Sequence, residues 1–499
     1  MTAALLMARL QGRRIEVTSE RAGDSTTYAL PSGELQTEAF AGPVRVKQDG
    51  AWQDIDTSLS DTGDSLTPEA TVADISVSDG GDTALASVSK GKTSFGIGWE
   101  NKLPTPTVKD NTASYDLGDG QELTVSALAQ GFSQNVVLDQ APDSAVSYRI
   151  PMHLEGLKLS QVASGHLLLK DSGGKLVAEA PAPVMWDSSR NDSSGEPEYQ
   201  ARVDTKVETA ADGAQTLVLT PDADFLADPA LTYPVTVDPT STLAVTTDTW
   251  IQTPDYPDSQ VSSQELKSGT YDGGADLARS FLKFDVSKFA GKHITDTNFA
   301  LYSYYSSTCA TDGSGTTVRR ITSDWSSTSL TWGTRPSSSG TGAVNNLVPR
   351  GYSSDCPAAW SNWDIDAIVQ AWADGSPNYG VMVYGTSETD SKTWRRFRSA
   401  NYTTTGYAPK LTVTYNSYPA KPASAAVSPS TVNAYNGVRY ATSLTPTLSA
   451  KVSDPDGSSV KGQFEISPDP DYADTTYAYT GTSGNVSSGV VATLAIPAA

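Results

Sequence analysis

A chain of 499 residues with 38% apolar and 18% charged residues, 40 Gly and 29 Pro is too long for one small module and too apolar for a charged disordered protein. At roughly 100 to 200 residues per domain it predicts about three domains. The formal charge of −22 repels phosphate backbones and anionic headgroups, which argues against nucleic acid as a partner, and no run of 18 or more apolar residues could span a bilayer. The acidity is concentrated: residues 1–245 hold 17 Lys/Arg against 35 Asp/Glu, whereas residues 246–416 hold 14 against 16. The middle segment is neutral enough to meet a neutral or anionic ligand.

In chain order, residues 3–14 predict a short helix. Its apolar run precedes Arg9, Arg13 and Arg14, the reverse of a secretory signal, so any export signal would lie upstream. Val44-Arg45-Val46-Lys47, Gln48-Asp49-Gly50 and Ala51-Trp52 read as a hairpin, because Asp-Gly tolerates the positive φ such turns need. Period-two alternation continues at 122–125, 216–219, 282–286 and 411–415, where Leu411, Val413 and Tyr415 share one face. A second helix is expected over 365–373, with Ile365, Ile368, Val369 and Trp372 on one side and Gly375 as its stop. Residues 418–426 form a Pro/Ala linker, and residues 445–450 and 453–457 read as a strand and turn of an immunoglobulin-like module cut short at Ala499. The expected fold is all-β, as multidomain β-sandwiches: a β-rich domain over 1–240, a jelly roll over 246–416, a linker over 417–430 and a partial immunoglobulin-like module over 431–499.

Little in the chain carries catalytic chemistry. No Gly-x-Ser-x-Gly elbow occurs, and His153, His166 and His293 are scattered, with no His-Glu-x-x-His helix, so no catalytic residue, metal ligand or cofactor is assigned. Residues 272–276, Asp-Gly-Gly-Ala-Asp, could offer oxygens to calcium but read as a plain turn. Cys309 and Cys356 suit a disulfide staple in an exported protein, with two unrelated buried thiols as the alternative. Trp332 and Trp372 read as core, while Trp325, Trp360 and Trp363 could be core or rim. Aromatic and basic residues gather at Trp394-Arg395-Arg396-Phe397-Arg398, with Tyr402 and Tyr407 close by. On an alternating strand Trp394, Arg396 and Arg398 share a face, a candidate platform on which rings stack on sugars and guanidinium groups read carboxylates. The alternative is that alternate residues are core and the arginines pair with local carboxylates.

Residues 246–416 resemble the DNRLRE-type domain, a jelly-roll module of bacterial exported proteins related to carbohydrate-binding modules. The resemblance rests on Asp248-Thr249-Trp250, on Arg279-Ser280-Phe281-Leu282-Lys283-Phe284-Asp285 and on Leu330-Thr331-Trp332-Gly333-Thr334-Arg335-Pro336. Phe397-Arg398-Ser399-Ala400-Asn401 and Pro409-Lys410-Leu411-Thr412-Val413-Thr414-Tyr415 complete it. Residues 42–56 and 183–187 resemble the leader region of large actinobacterial surface proteins that carry LamG-like, immunoglobulin-like and YD/RHS-repeat segments. These resemblances imply a non-catalytic, secreted or cell-surface fragment that displays or positions a downstream region of the same polypeptide. The jelly roll would bind an extracellular polysaccharide through Trp394, Arg396 and Arg398. The alternatives are the structural N-terminal part of a polymorphic toxin or YD/RHS-repeat delivery protein, and a polysaccharide-acting enzyme.

Overall fold

A computed structural model describes residues 1–238, 240–243, 247–467 and 479–498. It is all-β, and its strands follow the alternation. In Lys410–Ser417, Leu411 and Val413 are fully buried and Tyr415 nearly so, while Thr412 stays partly exposed. The hairpin pairs Arg45–Gln48 with Ala51–Asp54 around Asp49 and Gly50, both at positive φ. Helices are few. The first runs Thr2–Gln11, shorter than expected, because Gly12 adopts the left-handed conformation and returns its amide to the Ala8 carbonyl. After a single turn at Ala223–Leu226, the helix Asp366–Ala373 buries Ile368, Val369 and Trp372 as expected.

The N-terminal sandwich packs two sheets, of 8 and 11 strands, around a core that includes Phe95, Tyr115, Phe132 and Leu217. The central sandwich is the jelly roll. One sheet runs in space Ile15–Glu16, Ser25–Ala29, Leu35–Phe40, Lys410–Ser417, Lys292–Ser306, Arg395–Arg398 and Glu265–Ser268, with Ala359–Trp363 also paired to Lys292–Ser306. The facing sheet is Asp248–Thr253, Leu277–Leu282, Val381–Gly385, Thr316–Ile321 and Ser338–Asn346. Trp250, Leu282 and Val383 meet Phe299, Leu301, Phe397 and Val413 between them.

Two expected boundaries are corrected. Residues 15–40 do not join the N-terminal sandwich; Leu35–Phe40 pairs antiparallel with Lys410–Ser417, setting Leu35 opposite Tyr415 and Ala39 opposite Leu411. Leu5, Ala8, Ala29 and Leu35 lie in the jelly-roll core, and Thr37 Oγ1 lies 3.2 Å from the Tyr415 hydroxyl. The first forty residues therefore cover what would otherwise be a bare sheet edge beside the Leu411–Tyr415 face. The linker is also shorter than 417–430, because Ala423–Ser428 is already a strand, paired with Thr447–Lys451 in a three-stranded C-terminal sheet. The expected join between 240 and 246 falls partly on residues 239 and 244–246, which lie outside the described residues.

Cys309 and Cys356 are bonded, with Cα atoms 5.7 Å apart. Asp248, at the start of the strand Asp248–Thr253, is buried, and its Oδ2 accepts the Ala400 amide at 2.7 Å. Burial pushes its carboxyl from 3.8 up to about 7, against the lowering effect of that amide. A folded state that keeps a proton the unfolded state has released loses relative stability as pH rises from about 4 to about 7. Asp248→Asn keeps an acceptor for the amide and removes the titration. Its melting temperature at pH 8 is expected to exceed the parent's, with the difference shrinking towards pH 4; equal differences at both pH values would contradict this assignment.

Candidate functional site

The outer face of the larger jelly-roll sheet carries the aromatic and cationic side chains. Along Lys292–Ser306, Phe299, Leu301 and Ser303 point inward, so Tyr302 and Tyr304 point outward. A register shift between Ser303 and Tyr305 then turns Tyr305 partly outward as well. On the neighbouring strand Trp363 is in the core and Trp360 faces out, directly opposite Tyr302 in the ladder. The two rings meet edge to face at 5.6 Å.

From there the strip continues across the sheet. Tyr407 lies 4.1 Å from Tyr302 and 6.0 Å from Tyr402, centroid to centroid. The Arg398 guanidinium sits between two rings, 3.8 Å from Tyr304 and 4.0 Å from Tyr402. Lys410 caps Trp360 at 5.5 Å. Stacking holds the Arg398 plane while leaving its in-plane donors available, and among the described residues no carboxylate pairs with it.

Arg396 differs. Its Nε and Nη2 reach Glu265 Oε2 at 2.8 and 2.7 Å, and it donates to the Gly195 carbonyl. Burial works against the Glu265 charge, but Arg396 and Lys267, helped by the Tyr304 hydroxyl, outweigh it and hold the carboxyl down to about 2. Lys267 bridges Glu265 at 3.3 Å and Glu196, with its ammonium 3.9 Å from the Trp250 ring centroid.

The Trp394, Arg396 and Arg398 platform is corrected by this geometry. Alternation does put the two arginines on one face, with Arg395 and Phe397 buried opposite. Trp394, however, has no exposed surface: its Nε1 donates to the Ser194 carbonyl at 2.8 Å and its ring meets Tyr271 edge-on at 4.9 Å. A loop of the N-terminal sandwich, residues 191–196, lies over it and also takes the Tyr305 hydroxyl on the Asp192 carbonyl at 2.9 Å. Trp394 and Arg396 are thus interface residues, and Arg398 alone of the three belongs to the open strip. Tyr402 and Tyr407 join it, as do Tyr302, Tyr304 and Trp360, which the sequence reading did not assign. The signal was present in Leu301-Tyr302-Ser303-Tyr304, whose alternation matches that of 411–415.

Elsewhere, residues 270–276 form a self-contained turn, with Asp272 accepting from Thr270, Gly274 and Asp276. His166 is buried with its Nε2 3.4 Å from Glu179 Oε2, and Glu179 also accepts from Ser327 of the jelly roll at 2.6 Å. No group of three or more His, Cys, Asp or Glu suited to a metal occurs among the described residues. Trp332 is only partly buried; it packs against a small outer cluster, with Arg335 4.2 Å and Arg279 5.3 Å from its ring centroid.

Residues 239–434, which hold this sandwich's aromatic and cationic outer strip, match carbohydrate-binding module family 96. Over 436 residues, 80% of this chain, it is 26% identical to the tRNA nuclease WapA of Bacillus subtilis strain 168. It is also 26% identical, over 435 residues, to the tRNA(Glu)-specific nuclease WapA of Bacillus subtilis subsp. natto. The same identity and length hold for the tRNA3(Ser)-specific nuclease WapA of Bacillus spizizenii. The chain spans 18% of the length of each of these relatives.

Proposed function

We propose that this chain is a non-catalytic, exported segment whose jelly roll binds an extracellular polysaccharide along the strip from Trp360 to Arg398. The observation that carries the proposal is the Arg398 guanidinium, held between Tyr304 and Tyr402 without a carboxylate partner among the described residues and continuous with Tyr407, Tyr302 and Trp360. Ring faces stack on the C–H faces of sugars, and a flat, unpaired guanidinium suits a sugar carboxylate, so the ligand is an acidic polysaccharide. Each such contact contributes about 1 kcal/mol, so binding is weak per site and gains from repetition along the ligand. A second reading is compatible with the first: relatives named as tRNA nucleases, of which the chain spans 18%, favour a role in displaying or positioning a downstream toxin region.

Affinity electrophoresis through gels containing polygalacturonate, beside gels containing its neutral methyl ester, tests the binding. The parent is expected to be retarded more by the acid form, and less as salt is raised. Tyr302→Ala and Arg398→Ala are each expected to weaken binding about fivefold, with Arg398→Ala erasing most of the preference for the acid. No retardation by either polymer, or both variants migrating as the parent does, would refute the proposal.

A further inference from the structure

We propose that the glycan path continues past the edge of the jelly roll into the cleft beneath the N-terminal sandwich, where Trp186 and Arg190 form an additional subsite for an acidic sugar residue. This rests on the strip being the glycan site. It adds that the site is built by both sandwiches, and Trp186 and Arg190 lie outside the segment that matches the carbohydrate-binding family.

Tyr304 and Arg398, at one end of the strip, also line a cleft of about 390 Å³ whose other wall includes Trp186 and Arg190. That volume falls within the ~300 to 1,000 Å³ of small-molecule sites. Trp186 ends the strand Val184–Trp186, which is paired on both sides, with Gln200–Arg202 and with Val235–Asp238. Met185 is fully buried, so alternation directs Trp186 away from the core, and Trp186 is partly exposed.

Arg190 is exposed; its Nη1 reaches only the neighbouring Ser189 carbonyl, at 2.8 Å, and no carboxylate pairs with it among the described residues. Two acids line the cleft, Asp238 and Glu265, against four cations, Arg190, Lys267, Arg396 and Arg398. Glu265 is already neutralised by Arg396 and Lys267. Glu196 in turn pairs with Lys267, so that ion cluster is balanced, and Asp238 is left against Arg190 and Arg398, a net charge of +1 at the cleft, although residues 1–245 carry 35 acidic against 17 basic residues.

The wall is also fixed in place before any ligand arrives. Ser194 accepts from Trp394 at 2.8 Å, Asp192 from Tyr305 at 2.9 Å, and Arg202 Nη2 reaches Asp258 at 3.2 Å. A preformed wall spares the ligand the entropy of ordering it.

The test uses the full chain and oligogalacturonides of increasing length, followed by calorimetry. Parent affinity is expected to rise with length until the ligand spans both strip and cleft. Trp186→Ala and Arg190→Glu are each expected to remove that gain, about fivefold for the longer ligand, with little change for the shortest. Arg190→Glu is on the surface, so it separates loss of the subsite from any loss of folding caused by Trp186→Ala. Unchanged length dependence in Arg190→Glu, while Arg398→Ala still weakens binding of every length, would overturn the subsite and leave the strip standing. Failure of the parent to bind any length would overturn both.

Discussion

Lys267→Ala is expected to cost about 3–5 kcal/mol and to loosen the N-terminal sandwich from the jelly roll. The side chain is 5% exposed, as is that of Glu196, and its ammonium bridges Glu196 of one sandwich to Glu265 of the other. Removing it leaves the buried Glu196 and the half-buried Glu265 with one remaining strong cation, Arg396, and an uncompensated buried charge is far more destabilising than the loss of a surface pair. The effect should appear as a lower denaturation midpoint and as faster proteolysis of the segment joining the sandwiches. Combining it with Glu196→Gln should restore part of the loss, because the second change removes one of the stranded charges. A stability change below about 1 kcal/mol would show that the ion cluster does not hold the interface. The same cluster sets an acid limit: Glu265, held down to about 2, contributes stability above its ordinary 4.5 that is lost as pH falls through that window.

Replacing Cys309 and Cys356 together by serine is expected to lower stability by roughly 4 kcal/mol, the chain-entropy value for a loop closed across 47 residues. That loop contains Thr316–Ile321 and Ser338–Asn346, two of the five strands of the smaller jelly-roll sheet. Releasing it frees the unfolded chain and removes the tie that holds this edge beside Lys292–Ser306. Denaturant unfolding of the parent, the reduced parent and the double variant measures the effect. Agreement of all three within about 1 kcal/mol would mean that the bridge contributes little.

What could be read from the sequence was local. Leu411, Val413 and Tyr415 fall inside because period-two alternation is a property of consecutive residues. For the same reason Arg396 and Arg398 share a face, and Asp49-Gly50 makes a hairpin turn. What could not be read was set by pairing across long separations. No local feature of Leu35–Phe40 says that it lies beside Lys410–Ser417, so a domain expected over 1–240 takes in residues that pair in the other sandwich. Nor does anything near Trp394 say that Ser194, two hundred positions earlier, takes its indole N–H and buries the ring. An aromatic-rich strand looks the same in sequence whether its outer face meets solvent, a sugar or another domain. The strip itself was only half legible, because Tyr302 and Trp360 become partners through the pairing of strands nearly sixty residues apart.

The most direct test of the strip is to follow the Arg398 side-chain Nε–H and the Tyr302 and Tyr407 ring resonances while titrating the full chain with oligogalacturonide. The account predicts that these signals shift together, saturate with one apparent affinity and move less as salt is raised, while the Trp394 indole N–H, bonded to Ser194 inside the interface, stays where it is. Saturable shifts confined to other surfaces, or the absence of any shift at Arg398, would contradict it.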